Sequence, residues 1–176
     1  HRVDRRQRQM CIRDSRIPTN GFLIKEKIKE RKLNSSKVKG SGLLFEHLHR
    51  LKSGEDIITD DGKVFKNEDY TLPPNPSRSY AYCSDTAYYE DLLPHVQGVD
   101  LLYHEATFIE KEKSRAKATF HSTAKQAATI ALKSGVKKLL LGHISARYSN
   151  DLDHLNEAAE IFENVLVAED GSHYIL

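Results

Sequence analysis

The chain has 176 residues, 39% apolar and 30% charged, with no Trp and a mean hydropathy of −0.59. That length suffices for one domain with a real core, and its dense Leu, Ile, Val and Tyr clusters argue against disorder. No apolar run approaches the roughly 20 residues of a membrane-spanning helix, so no membrane partner is expected. The basic start lacks the apolar stretch of a secretory signal. Two cysteines, Cys11 and Cys83, make no disulfide framework, so a reducing cytoplasmic setting is expected.

The net charge of +2 is unevenly placed. Residues 1–15 carry five Arg and two Asp; without them 22 basic residues face 23 acidic ones. The segment has no apolar periodicity to dock it. It reads as a non-native leader, with a nucleic-acid-binding arm as the alternative. Residues 16–78 then form a loosely patterned linking region. A short strand is expected at 21–24, followed by a charged run at 25–32 and a helix at 43–52. The stretches 55–59 and 63–65, joined by Asp60-Asp61-Gly62, read as a hairpin. His47-Leu48-His49 has the alternation of a strand-borne metal pair, but Arg50 and Lys52 follow, and their charge would repel a cation.

From residue 79 onward the pattern becomes regular. Strands are expected at 79–84, 99–104 and 136–141, with helices at 88–96, 122–134 and 152–164. Ser122 or Thr123 caps the second helix and Gly135 ends it. Two last strands, 165–168 and 174–176, flank Asp170-Gly171-Ser172 as a small antiparallel piece. Alternating strands and helices define an α/β class.

The polar residues fall where the apolar strands stop. Asp85 follows the first, Glu105 ends the second and His143 follows the third, while His121 stands directly before a helix. Side by side, such strand ends would gather Asp85, Glu105 and His143 at one rim, the ligand-binding edge of open α/β sheets. Taken singly, Asp85 also suits a helix cap, His121 a helix start, His143 a buried core histidine and Arg147 a surface ion pair.

Four ordered segments sharpen this: Ser84-Asp85-Thr86, His104-Glu105-Ala106-Thr107-Phe108, Phe120-His121-Ser122-Thr123, and the run from Gly142 to Tyr148. Together with 16–22 they resemble the C-terminal half of the ribonuclease Z family, tRNA 3′-processing endonucleases of the metallo-β-lactamase superfamily. The resemblance implies the C-terminal half of an αββα sandwich over residues 79–176. It implies that Asp85 bridges two zinc ions and that His143 is the last histidine ligand. His121 would protonate the leaving oxygen, Glu105 would orient and tune it, and Ser145 and Arg147 would contact RNA phosphate. Precursor tRNA is the implied substrate and a homodimer the implied assembly. The family's His-x-His-x-Asp-His signature has no counterpart here, and Asp85 and His143 alone cannot fill a tetrahedral zinc shell. The chain by itself is therefore expected to bind zinc weakly and cleave nothing. The alternatives are another phosphodiesterase of the same fold and a non-catalytic RNA-binding α/β module.

Overall fold

The computed structural model describes residues 19–176 in full and residues 5–12 through their strand pairing. The non-native reading of residues 1–15 and the family-like start at 16–18 fall on residues outside the full description. In chain order, β1 (Arg5–Ile12) and β2 (Thr19–Glu26) pair antiparallel. Residues Lys27–Ser77 form a compact unit of their own, and the rest of the chain forms a second one.

The smaller unit contains β3 (Lys32–Leu33), α1 (Ser35–Val38), α2 (Phe45–Ser53), β4 (Ile57–Ile58), β5 (Val64–Phe65), α3 (Asn67–Tyr70) and β6 (Thr71–Leu72). The expected hairpin forms as β4 against β5, with Gly62 in the left-handed conformation that its turn needs. Leu51, Ile57 and Phe65 make its core. His47 and His49 lie on α2, not on a strand, so their alternation does not put them on one face. His47 instead accepts the Leu44 backbone N–H at the helix start, at 3.2 Å.

The larger unit continues with β7 (Ser79–Cys83), α4 (Leu93–Val96), β8 (Leu101–Glu105), α5 (Lys113–Thr119), α6 (Ala124–Ser134), β9 (Leu139–Gly142), α7 (Leu152–Ala159) and β10 (Val165–Val167). The sheet order is β1-β2-β7-β8-β9-β10, and β7, β8, β9 and β10 run parallel. Parallel neighbours need crossovers, which α4, α6 and α7 supply. Strand alternation sends Ala81, Cys83, Leu102, Leu139, Leu141 and Val165 into one core with α6. The buried face of α6 is mostly alanine (Ala124, Ala127, Ala128, Ala131), which allows close approach to the strands.

Three local readings change. The stretch 88–96 is a single 3-10 turn at Glu90–Leu92 leading into the short α4, since Pro94 has no N–H to continue a helix from the turn before it and Gly98 takes the left-handed conformation just past its end. The last helix stops at Ala159, and α5 forms from a charged segment without apolar periodicity. The terminal antiparallel piece is absent. β10 joins β9 in parallel, while the Tyr174 hydroxyl donates to the Val167 carbonyl at 3.1 Å and accepts the Glu169 N–H at 2.9 Å. A side chain thus does what a returning strand would have done.

The N-cap of α6 is Thr123. Its hydroxyl accepts the Gln126 N–H at 3.2 Å and the Gln126 side chain accepts the Thr123 N–H at 2.9 Å, a reciprocal capping box. Gly135 closes the helix in the left-handed conformation. Thr123→Ala is expected to lower the unfolding free energy by about 1 kcal/mol, read as a shift of the urea midpoint at constant slope.

Candidate metal and acid–base site

Because β7, β8 and β9 are parallel neighbours, the loops leaving their carboxyl ends meet at one rim. Glu105 is the last residue of β8 and is fully buried. Its Oε1 accepts the Thr86 N–H at 2.7 Å and the His121 Nδ1–H at 2.8 Å. Its Oε2 accepts the Thr107 hydroxyl at 2.7 Å, the Ser122 N–H at 3.1 Å and the Thr107 N–H at 3.2 Å. Burial alone would raise its pKa, but the hydrogen bonds from His121, Thr107 and the Ser122 backbone outweigh burial and hold it below the usual carboxylate range. One carboxylate therefore ties together the loops after β7 and β8 and the start of α6.

The carboxylate also fixes the histidine tautomers. A carboxylate only accepts, so His121 carries a proton on Nδ1. The hydrogen bond to Glu105 raises the His121 pKa, against partial burial. Thr107 gives its one proton to Glu105 and so accepts from His143 Nδ1 at 3.0 Å. That leaves His143 Nε2 as a bare acceptor 3.2 Å from Asp85 Oδ1. Two acceptors at that separation repel unless a positive charge lies between them.

A metal ion fits this requirement. The ligand atoms of Asp85, His121 and His143 all lie within 4.8 Å of one another, the only such group among the described residues. Atoms bound tetrahedrally to one zinc at about 2.0–2.2 Å stand about 3.3–3.6 Å apart, and the 3.2 Å between His143 Nε2 and Asp85 Oδ1 suits that spacing. His143 also has the outer partner a ligating imidazole needs, in the Thr107 hydroxyl. Asp85 (φ 53°), His143 (φ 57°) and Phe120 (φ 61°), the residue before His121, are the only non-glycine residues with positive φ among those described. Left-handed backbone is unfavourable for side chains other than glycine's and tends to collect at functional sites.

Ser145 and Arg147 lie in the loop after His143. The Arg147 Nε–H donates to Ser145 Oγ at 3.0 Å, and its guanidinium sits 5.3 Å from the Phe108 ring centre, which in turn packs edge-on to His121 at 6.2 Å. Glu112 lies 3.5 Å from the same guanidinium. All six candidate residues thus belong to one rim region. Thr107 is the residue sequence reasoning missed: it lies inside a quoted segment, yet nothing in the local pattern indicates that one hydroxyl serves both Glu105 and His143.

Residues 45–144 match the Beta-lactamase superfamily domain, and the chain belongs to that superfamily. Within it the chain is similar to ribonuclease Z. It is 44% identical over 155 residues to Ribonuclease Z of Porphyromonas gingivalis, covering 88% of this chain and 51% of that protein. It is 41% identical over 182 positions to Ribonuclease Z of Bacteroides fragilis, covering 97% and 60%. The chain thus spans about half the length of the curated relatives it matches. Two solved structures share the fold. One is the metallo-beta-lactamase fold protein YhfI from Bacillus subtilis (TM-score 0.60, 16% identity, 94% of this chain and 46% of that one). The other is human tRNase Z, short form (TM-score 0.52, 22% identity, 93% and 39%).

Two further histidines bear on pH. His104 and His154 are buried, and burial lowers both pKa values; the Nε2 of His104 has no hydrogen-bond partner among the described residues. Below the unfolded-state value of about 6.5 the unfolded chain binds these protons first, so stability falls as pH falls. His121 acts oppositely: its folded pKa is raised, so its contribution is full below about 6.5 and is lost as pH rises through the folded value. Urea unfolding across pH 5–8 is therefore expected to show a stability maximum near neutrality, and His154→Gln to flatten its acid side. In Glu105→Gln the His121 pKa is expected to drop to or below its ordinary value, measured by NMR titration of the imidazole protons.

Proposed function

We propose that this chain carries the C-terminal half of a zinc-dependent endoribonuclease of the ribonuclease Z type, which cleaves precursor tRNA at its 3′ end. The relatives' name supports the activity. The observation that carries the mechanism is the His121–Glu105 pair: a buried carboxylate orders an imidazole whose pKa is raised and which groups with Asp85 and His143. A His held in that way suits a general acid that hands its proton to the departing ribose oxygen. Glu105 keeps the tautomer and stabilises the imidazolium before transfer.

Asp85 and His143 are the residues that would hold zinc. Zinc bound there would lower the pKa of a water and stabilise the attacking and leaving oxygens of a phosphodiester. Ser145 and Arg147 would hold a flanking phosphate through the hydroxyl and the planar guanidinium fork. A homodimer in the cytoplasm is the proposed setting, in keeping with the buried free thiol of Cys83.

A second reading has one specific support. His121 belongs to the same 4.8 Å group as Asp85 and His143, which makes it a possible third ligand instead of the acid.

The two readings separate in a chimera that places the N-terminal half of the Porphyromonas gingivalis relative ahead of residue 16. On precursor tRNA, His121→Ala is expected to lose about 10²- to 10⁴-fold in rate with bound zinc unchanged. Loss of zinc together with rate would favour the ligand role, and undiminished rate would refute both. The 176-residue chain alone is expected to leave the same substrate uncut.

A further inference from the structure

Tyr148 closes the turn that carries Arg147, and its phenol belongs to no step derived above. The Ser145 N–H donates to the Thr107 carbonyl at 3.2 Å and the Tyr148 N–H to the Ser145 carbonyl at 3.0 Å, so residues 145–148 form a tight turn anchored to the segment after β8. The Tyr148 ring packs edge-on against His154 of α7, which is fully buried, with centroids 4.6 Å apart and planes at 89°. So placed, its hydroxyl accepts the Ile109 N–H at 3.3 Å and donates to Glu112 Oε2 at 3.3 Å. The same carboxylate oxygen lies 3.5 Å from Arg147 Nη1.

A long, half-exposed arginine has rotamer freedom that a ligand must remove on binding. Here the guanidinium has neighbours on three sides: Ser145 Oγ at Nε, the Phe108 ring against its face and Glu112 at Nη1. At 3.5 Å the half-exposed Arg147–Glu112 pair is worth little as an ion pair. Its effect is on orientation. With Nη1 turned to Glu112, the edge that includes Nε is turned to Ser145, the hydroxyl assigned to the same phosphate.

We propose that Tyr148 is a positioning residue for Arg147: its hydroxyl holds Glu112, and Glu112 holds the guanidinium with its Nε edge toward the phosphate position. The inference rests on the reading of Ser145 and Arg147 as phosphate contacts and adds to them a residue that touches no phosphate.

The test uses the 176-residue chain, with inorganic phosphate as probe and the Arg147 Nε–H resonance as reporter. In phosphate-free Tyr148→Phe, which keeps the ring against His154, that resonance is expected to move toward the position of an unrestrained arginine. The phosphate dissociation constant is expected to rise about 2- to 10-fold, the effect of leaving one long side chain to be ordered on binding. Glu112→Ala, which removes a side chain from the surface and not from the core, is expected to move the same resonance even where Tyr148→Phe folds poorly. Adding Tyr148→Phe to Glu112→Ala is expected to change phosphate affinity little further, a coupling that general loosening of the loop would not produce. An unmoved Arg147 resonance and full phosphate affinity in Tyr148→Phe while Arg147→Ala abolishes binding, or equal losses from Tyr148→Phe in both backgrounds, overturn the proposal alone. Phosphate affinity equal in wild type and Arg147→Ala, or absent from both, overturns the reading of the phosphate contacts on which it rests.

Discussion

A carboxylate sealed from water is costly unless donors surround it, and the rim of this protein is organised around meeting that requirement. Glu105 has five donors, drawn from the loops after two strands and the two residues just before the N-cap of α6. Each contact ties backbone or side chain of one loop to the same two oxygen atoms. The loops cannot shift independently without stranding a charge. The loops of the rim are thus joined to one another through a single charge at the end of one strand.

That arrangement passes directly into chemistry. With its acceptor-only oxygens, Glu105 decides which nitrogen of His121 carries the proton, and through Thr107 it decides the same for His143. Both imidazoles gather with Asp85 in one group, and His143 turns its Nε2 to the Asp85 carboxylate. The three left-handed residues, two of them in that cluster and the third next to His121, show where the backbone accepts conformations it would otherwise avoid. The hydrogen bonds to Glu105 supply the surrounding order that lets such conformations persist.

Much of this was legible in the residues. Apolar runs ending in Asp85, Glu105 and His143 located the rim, since a parallel sheet turns strand ends into neighbours. Ser122 or Thr123 and Gly135 marked the ends of α6 through side-chain and glycine chemistry that acts locally. The helix α5 was hidden because its charged sequence carries no periodicity. The final strand pair was wrongly expected because Asp170-Gly171 has turn chemistry, and the side chain of Tyr174, which satisfies the returning backbone, leaves no mark in a pattern. The role of Thr107 depends on which strands become neighbours, so no single segment could reveal it.

The segment between β2 and β7 has a topological consequence. These strands lie side by side, and the Glu26 N–H meets the Arg78 carbonyl at 2.9 Å, so the chain leaves the main sheet and re-enters it at one point. The whole of Lys27–Ser77 is an excursion from a closed junction. An excursion of this kind can grow, shrink or be exchanged over evolutionary time without moving a single rung of the main ladder. A change of length there leaves the rim at the ends of β7, β8 and β9 in place.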